Sequence, residues 1–190
     1  MRRAPPARYD DGVKRAFRVG GVVVLVGLIA ASVASCLDPT QITLDVRTDV
    51  RCELVRGLTI VGGRPGAVEG APPTTETTRC LPSGEIGTLV ATPKETKSDN
   101  VAFKVVMGVD RPVADCKSED GYKGCIIQRR QLAFVPRTPI TLPVYMLLVC
   151  VGVPCDENST CAANGKCVPA KITDPERCVR PSVPTTARAT

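Results

Sequence analysis

Six stretches between residues 41 and 150 each predict a β-strand, and apolar residues recur at every second position in three of them, at 41–50, 100–109 and 138–150. The first, "QITLDVRTDV" at 41–50, places Ile42, Leu44 and Val46 on one side and polar residues on the other. A period of two with β-branched residues is typical of a strand that buries one face. No amphipathic helical pattern follows residue 36, so this part of the chain is predicted to be mainly β. The other five predicted strands lie within 53–63, 84–93, 100–109, 124–136 and 138–150.

The last two of these stretches carry residues that modify the simple pattern. In "TPITLPVYMLLVC", Pro139 and Pro143 cannot donate to a sheet ladder, which favours an edge strand or a bulge. Apolar residues occupy both sides near the end of this strand, around Tyr145, so burial on both faces is predicted there. In "IIQRRQ", Arg129 and Arg130 predict a solvated face.

The spacing of the strands predicts an immunoglobulin-like β-sandwich at residues 36–150. Several strands separated by turn signals are typical of that architecture. Residues 62–79 are rich in Gly, Pro and Thr, which break both regular structures, so a long loop is predicted there. The chain has no Trp, so the core must be largely aliphatic, and an antibody-type domain with a core Trp is disfavoured.

Residues 151–178 have a different composition and predict a small disulfide-rich knot. Five cysteines lie between residues 150 and 178, with almost no large apolar residue among them. Such a segment cannot build a hydrophobic core, so covalent bridges must hold it. The sequence places this knot on the end of the sixth predicted strand. Residues 179–190 lack apolar mass and predict a disordered tail.

An uncharged apolar run occupies residues 20–35, behind a basic N-terminal region. A helix needs about 20 apolar residues to span a bilayer, whereas signal-peptide cores have about 7–15. The run ends in Val33-Ala34-Ser35-Cys36, which resembles the lipobox of bacterial lipoproteins, where the cysteine is acylated and becomes the mature N-terminus. The resemblance implies a lipoprotein signal peptide at 1–35 and a lipid on Cys36. The alternatives are an uncleaved signal-anchor helix and a signal for ordinary secretion.

Most of the positive charge lies ahead of this boundary. The first 35 residues carry six basic and two acidic residues, so the net charge of the rest is +2 rather than the +6 of the whole chain. No cluster of Lys and Arg interleaved with aromatic residues follows, as single-strand binding would require. Nucleic acid is therefore not an expected partner.

The ten cysteines of the chain agree with export, because disulfides persist in oxidising compartments. If Cys36 carries a lipid, nine cysteines remain, and the odd number leaves a free thiol, a bridge between chains, or Cys36 itself as a bridge partner. Cys116–Cys125 is expected because the pair is local, and Cys52–Cys80 because both flank the predicted loop. The connectivity of the last five stays open. The disulfide candidates are Cys52, Cys80, Cys116, Cys125, Cys150, Cys155, Cys161, Cys167 and Cys178.

No pattern in the chain predicts catalysis, a cofactor or a metal. The sequence contains no His, so Ser-His-Asp and Cys-His arrangements are excluded. No C-x2-C pair, EF-hand loop or phosphate-binding glycine motif occurs. Acidic residues cluster only in a loop that the Cys116–Cys125 bridge would close, where a solvated surface is expected. We therefore expect a protein that is not an enzyme and has no small-molecule substrate.

Two segments resemble uncharacterised lipid-anchored envelope proteins of Gram-negative bacteria. These are "LDPTQITLDVRTDVRC", directly after Cys36, and the closing "CVGVPCDENSTCAANGKCV". The resemblance implies an exported protein held in the cell envelope, at the outer membrane or the periplasmic face, and it implies no activity. We expect a structural or interaction module, anchored by its lipid or helix, with a protein partner at the envelope. The alternatives are a signal-anchored accessory or sensor protein and a secreted disulfide-stabilised inhibitor.

Overall fold

The computed structural model describes residues 38–94 and 100–178. The predicted signal or anchor segment, the lipid site at Cys36 and the predicted tail at 179–190 lie outside these residues. The described residues from Pro39 onward belong to one compact unit. Within the described ranges, no helix has the length and apolar composition needed to cross a membrane.

The described residues form a mainly β protein. All six predicted strands are present, and only short 3₁₀ turns occur as helical elements in the described ranges. Strand β3 lies inside the predicted loop 62–79, so that prediction is wrong at Thr75–Thr77. The strands are β1 Gln41–Thr48, β2 Leu58–Gly63, β3 Thr75–Thr77, β4 Glu85–Ala91, β5 Asn100–Gly108, β6 Cys125–Ala133, β7 Pro139–Met146, β8 Ser159–Cys161 and β9 Cys167–Pro169.

These strands form three sheets. One has the order β4-β1-β7, a second has the order β3-β2-β5-β6, and β8 and β9 form a two-stranded hairpin. Strand β1 is antiparallel to β4 and parallel to β7. Strand β7, which contains both prolines, is an edge strand, as the missing backbone donors predict.

The inward faces of the first two sheets contribute to one hydrophobic cluster. Ile42, Leu44 and Val46 of β1 are fully buried in it, as their alternation predicts. They share the cluster with Phe103 of β5 and Phe134, which follows β6. Leu, Ile, Val and Met side chains supply most of the remainder, which agrees with an aliphatic core.

Strands β6 and β7 differ from their predicted burial in opposite ways. Strand β6 is buried from Cys125 to Arg129, and Arg129 is only 4% exposed, so the predicted solvated face is wrong. The reason is that residues 155–172 and Glu69 cover its outer side. Strand β7 keeps strict alternation to its end, and Tyr145 is 49% exposed, so burial on both faces is also wrong.

The Cys-rich C-terminal segment continues the second sheet beyond β6. The backbone N–H of Gln131 donates to the carbonyl of Ala170 at 2.9 Å, and Ile172 donates to the carbonyl of Gln131 at 2.7 Å. The N–H of Arg129 donates to Oγ1 of Thr160 at 3.1 Å. These bonds join the segment to the fifth predicted strand, β6, in addition to the predicted position at the end of the sixth, where the Cys150–Cys161 bridge holds it. The free ladder edge of β6 explains these added bonds, because its unpaired backbone groups need partners.

Candidate functional site

Four disulfide bonds frame the described residues. Cys52–Cys80 and Cys116–Cys125 have Cα separations of 5.5 and 6.0 Å, and both are the pairs expected from their position. The pairs Cys150–Cys161 and Cys155–Cys167, which were left open, interleave along the chain. Cys178 is the one cysteine of the described residues without a bridge. Among residues 38–94 and 100–178, the cysteine left over from these pairs is therefore Cys178.

A buried ion cluster ties residues 62–79 to the second sheet. The guanidinium of Arg129 donates to both carboxylate oxygens of Glu69, at 2.7 and 3.1 Å. Nζ of Lys104 lies 3.6 Å from the same carboxylate and donates to the backbone carbonyl of Glu69 at 2.6 Å. The side chains of Arg129 and Lys104 are 5% and 9% exposed. Residues 62–79 are thus held to the second sheet near their middle, through Glu69.

The sheet register explains why a carboxylate is needed here. Lys104 of β5 and Arg129 of β6 are directly opposite each other across the two strands, so both cations emerge on the same face. Like charges at such a pair repel and destabilise a sheet. Glu69 places a negative charge against both cations. Val68 helps to position it, because Val68 is buried with Val61 and Ala102 in a small apolar cluster.

The protonation of this cluster follows from burial and charge. Burial by itself would raise the pKa of Glu69, but the hydrogen bond and charge of Arg129 and the charge of Lys104 outweigh it, so that pKa is lowered. Burial and the neighbouring Glu69 raise the pKa of Tyr122. The guanidinium of Arg129 also lies 5.9 Å from the Tyr122 ring centroid, within cation–π range. Glu69 is therefore ionised, and both neighbouring cations are compensated.

A cleft of about 440 Å³ opens beside the cluster, lined partly by Glu69, Tyr122, Asp156 and Glu157. A general base needs a pKa near the working pH and a free oxygen facing its substrate. Glu69 has neither, because its pKa is lowered and both oxygens accept from Arg129. In residues 38–94 and 100–178, no group of three acidic or cysteine side chains is arranged to hold a metal ion. The cluster is best explained as a structural tie.

A second polar network fastens the C-terminal segment. Gln128 of β6 is 1% exposed, and its Nε2 donates to the carbonyl of Cys161 at 2.9 Å. Thr160 donates its hydroxyl to Oε1 of Gln128. Arg130 donates to Oγ1 of Thr160 at 2.8 Å and to Oε1 of Gln128 at 3.1 Å. Burial lowers the pKa of Arg130. Polar side chains of β6 thus hold the hairpin in addition to the apolar contacts that Cys155, Cys161 and Ile172 make with the main hydrophobic cluster.

The sequence gives little indication of these two networks. Position 104 falls on the opposite face of β5 from Phe103, so the alternation places Lys104 outside the core. Its partner Glu69 is 35 residues away, and Arg129 is 60 residues from Glu69. No local pattern links residues at such separations. The pair of arginines in "IIQRRQ" was the available signal, and it pointed to solvent.

The acidic loop that contained the remaining candidate groups is largely exposed. Asp110, Asp115 and Glu119 are exposed, in agreement with a solvated surface. Asp120 forms an ion pair with Arg111, while its Oδ1 is buried without a hydrogen-bond partner. These carboxylates belong to one surface loop, and no described side chain joins two of them into a catalytic pair.

Exposed apolar side chains gather at the end of β7. Tyr145, Leu148 and Val149 are 49%, 52% and 51% exposed, and we call these three residues the distal patch. The backbone N–H of Leu148 donates to the Asp49 carboxylate at 2.6 Å, which fixes the turn after β7 next to the turn after β1. Strands β1 and β7 run parallel, so the patch lies about 25 Å from the start of β1 at a rise of about 3.3 Å per residue.

No protein family, curated protein or solved structure matches the chain. The disulfide bonds, the buried ion cluster and the distal patch are therefore the features that bear on function.

Proposed function

We propose that the chain is a non-enzymatic, lipid-anchored cell-envelope protein that presents its β-domain as a structural or interaction module. The observation that carries the proposal is the distal patch. Monomeric soluble proteins rarely expose clustered apolar side chains without a functional reason. Tyr145, Leu148 and Val149 expose about half of their surface within five residues of chain. Tyrosine, here Tyr145, is among the residue types most enriched at the centre of protein interfaces.

The fold that presents the patch is an immunoglobulin-like β-sandwich in this proposal. Support comes from the shared hydrophobic cluster, to which β1, β4 and β7 contribute from one sheet and β2, β5 and β6 from the other. Side chains that interdigitate from two facing sheets are the basis of a sandwich core. Phe103 and Phe134 are the aromatic members of that cluster among the described residues.

The anchor in this proposal is a lipid on Cys36, after removal of residues 1–35. Four disulfides support an oxidising compartment, because cytosolic thiols are kept reduced. Cys36 precedes the first residue of β1, Gln41, by only five residues, so the anchor joins the end of the domain where β1 begins. The distal patch lies at the other end of β1.

The anchor is tested by the intact mass of the protein isolated from its native envelope, before and after reduction. Loss of residues 1–35 together with acyl mass on Cys36 supports the lipoprotein. A full-length mass without an acyl group would favour the signal-anchored accessory protein instead. The Cys36→Ser variant serves as the matched control, because it should lose the acyl mass and the tight membrane association together.

The interaction role is tested by site-specific photocrosslinking in the native envelope. A photoreactive residue at Leu148 should give a discrete adduct with one partner protein. The same residue at Thr88, which is exposed on β4, is the control and should give none. Adding the change Val149→Asp should abolish the adduct formed at Leu148. The mass change on reduction, which counts the disulfide bonds, should stay the same. Equal adducts at both positions, or none at Leu148, would argue against the patch as an interface.

A further inference from the structure

An apolar cavity opens at the end of the domain where β1 begins, opposite the distal patch. It has a volume of about 720 Å³ and lies among the ends of β2 and β4, the start of β5 and the segment after β6. Phe103 and Phe134 lie beneath it and are only 1% and 5% exposed, whereas Leu89, Val90 and Ala91 of β4 supply accessible aliphatic surface. Cavities of about 300–1,000 Å³ with mainly apolar walls are typical of small-molecule sites.

The cavity exists because the two sheets carry small residues on facing positions there. Leu58, Ile60 and Gly62 fall on the same face of β2, and the first two are buried in the core. Gly62 has no side chain to continue that face, and a Cβ at this position would stand 3.4 Å from the Phe103 ring. On the opposing sheet, Ala91 pairs with the buried Ile42 of β1 but is itself only partly buried. Leu89 and Ala91, which are only partly buried against the core, therefore leave apolar surface accessible at this end.

The charged residues at the cavity define the rest of the ligand. Arg64 and Lys94 are its two ionisable lining residues, and both are exposed. No acidic side chain of the described residues lines it. An apolar interior with cations at the rim complements a molecule that has an alkyl chain and one anionic end. Arginine and lysine bind carboxylates through charge-assisted hydrogen bonds.

We propose that this cavity binds a long-chain fatty acid, with the alkyl chain against Leu89, Val90 and Ala91 above the buried Phe103 ring and the carboxylate at Arg64 and Lys94. A single alkyl chain suits a volume of about 720 Å³. The proposal does not depend on the lipid at Cys36, because the ligand is held by side chains of the β-domain alone.

The test is a titration of the full chain, held in an amphipathic polymer, with palmitate labelled with ¹³C at its carboxyl group. We expect a separate bound resonance that saturates at one palmitate per chain. Methyl palmitate, which keeps the alkyl chain and lacks the charge, is the neutral probe and should compete at least tenfold more weakly. Equal competition by the two probes would overturn the assignment of the carboxylate to Arg64 and Lys94.

Two matched pairs of variants locate the site. Gly62→Leu places a side chain against the Phe103 ring and should weaken palmitate binding at least tenfold, whereas Gly70→Leu, in open space in the same segment, should leave it within twofold. The double variant Arg64→Gln/Lys94→Gln should weaken palmitate tenfold and leave methyl palmitate unchanged. Arg79→Gln/Lys123→Gln removes the same charge from exposed positions outside the cavity and should change neither.

Failure of the fatty-acid site and failure of the lipid anchor give different results. If Gly62→Leu binds palmitate as well as the unmodified chain, the cavity is not the site and the proposal is overturned. Far-ultraviolet circular dichroism and the count of four disulfides show whether each variant is folded. A chain with no acyl mass on Cys36 that still binds palmitate would refute the lipid anchor and leave the fatty-acid site standing.

Discussion

Replacing Glu69 by Gln tests the idea that one carboxylate compensates two buried cations. The change keeps the size of the side chain and leaves Lys104 and Arg129 opposite each other with no anion between them. Removing one partner of a buried ion pair costs about 3–5 kcal/mol, because a desolvated charge is left uncompensated. Glu69 is itself 24% exposed, so water recovers part of that loss. We expect the free energy of unfolding to fall by about 2–3 kcal/mol.

The assay is thermal unfolding of the full chain, followed by far-ultraviolet circular dichroism because the protein has no Trp. For a chain of this size, the expected loss lowers the midpoint by about 4–12 °C. Glu76→Gln, on the exposed strand β3 of the same segment, is the control and should change the midpoint by less than about 2 °C. Lys104→Met in the Glu69→Gln background should recover part of the loss, because it removes one of the two stranded cations.

The pH dependence gives a second readout of the same variant. The pKa of Glu69 is lowered in the folded protein, so its stabilising contribution is present above the ordinary glutamate pKa of about 4.3 and is lost as the pH falls through the folded value. The difference in stability between the unmodified chain and Glu69→Gln should therefore be constant near neutral pH and shrink at acidic pH. A difference that grows on acidification, or a variant as stable as the unmodified chain at pH 7, would refute the reasoning.

Three further predictions concern the bridges, the C-terminal network and one turn. Alkylation of the unfolded but unreduced protein should label only Cys178 among residues 38–94 and 100–178, and peptide mapping would reveal label at any bridged cysteine as a contradiction. Thr160→Val removes the oxygen that accepts from Arg129 and Arg130 and should cost about 1–3 kcal/mol in chemical unfolding, against less than about 0.5 kcal/mol for Thr88→Val. Gly84→Ala should cost more than about 2 kcal/mol, because its φ is +78° and a Cβ would stand 2.2 Å from a backbone oxygen. Gly70→Ala, which meets nothing, should be nearly neutral, and equal effects of the two glycine changes would contradict the argument.

The strands were predictable because their information is local. Alternation of the kind seen at Ile42, Leu44 and Val46 depends only on which face of a strand is buried, and it located β1, β5 and β7, while short apolar runs located β2, β4 and β6. Strand β3 was not predicted, because its three residues, Thr75–Thr77, are too few to show a period. The local bridges Cys52–Cys80 and Cys116–Cys125 followed from the positions of neighbouring elements.

The burial of Arg129 and the interleaved bridges were not predictable, because both depend on partners distant in the chain. An arginine in a strand is exposed unless some other segment brings a carboxylate, and Glu69 comes from 60 residues away. Five clustered cysteines allow many pairings, and chain spacing does not rank them. The cavity was missed for a related reason. The glycine pair at 62–63 marked the end of a strand, while the Phe103 ring beside Gly62 belongs to another strand, β5.

The parallel pairing of β1 with β7 has a consequence for how the protein reaches its native state. Thr48 and Met146 are joined by a hydrogen bond although 98 residues separate them. Strand β1 can pair with β4 early, but its other edge has no partner until nearly the whole described chain has been synthesised. Pairings between such distant segments form slowly, and an unpaired edge invites association with other chains. Refolding should therefore end in one late step that fixes β7. Pulsed hydrogen exchange would detect that step as delayed protection of the amides of β7, and protection of β7 together with β5 and β6 would rule it out.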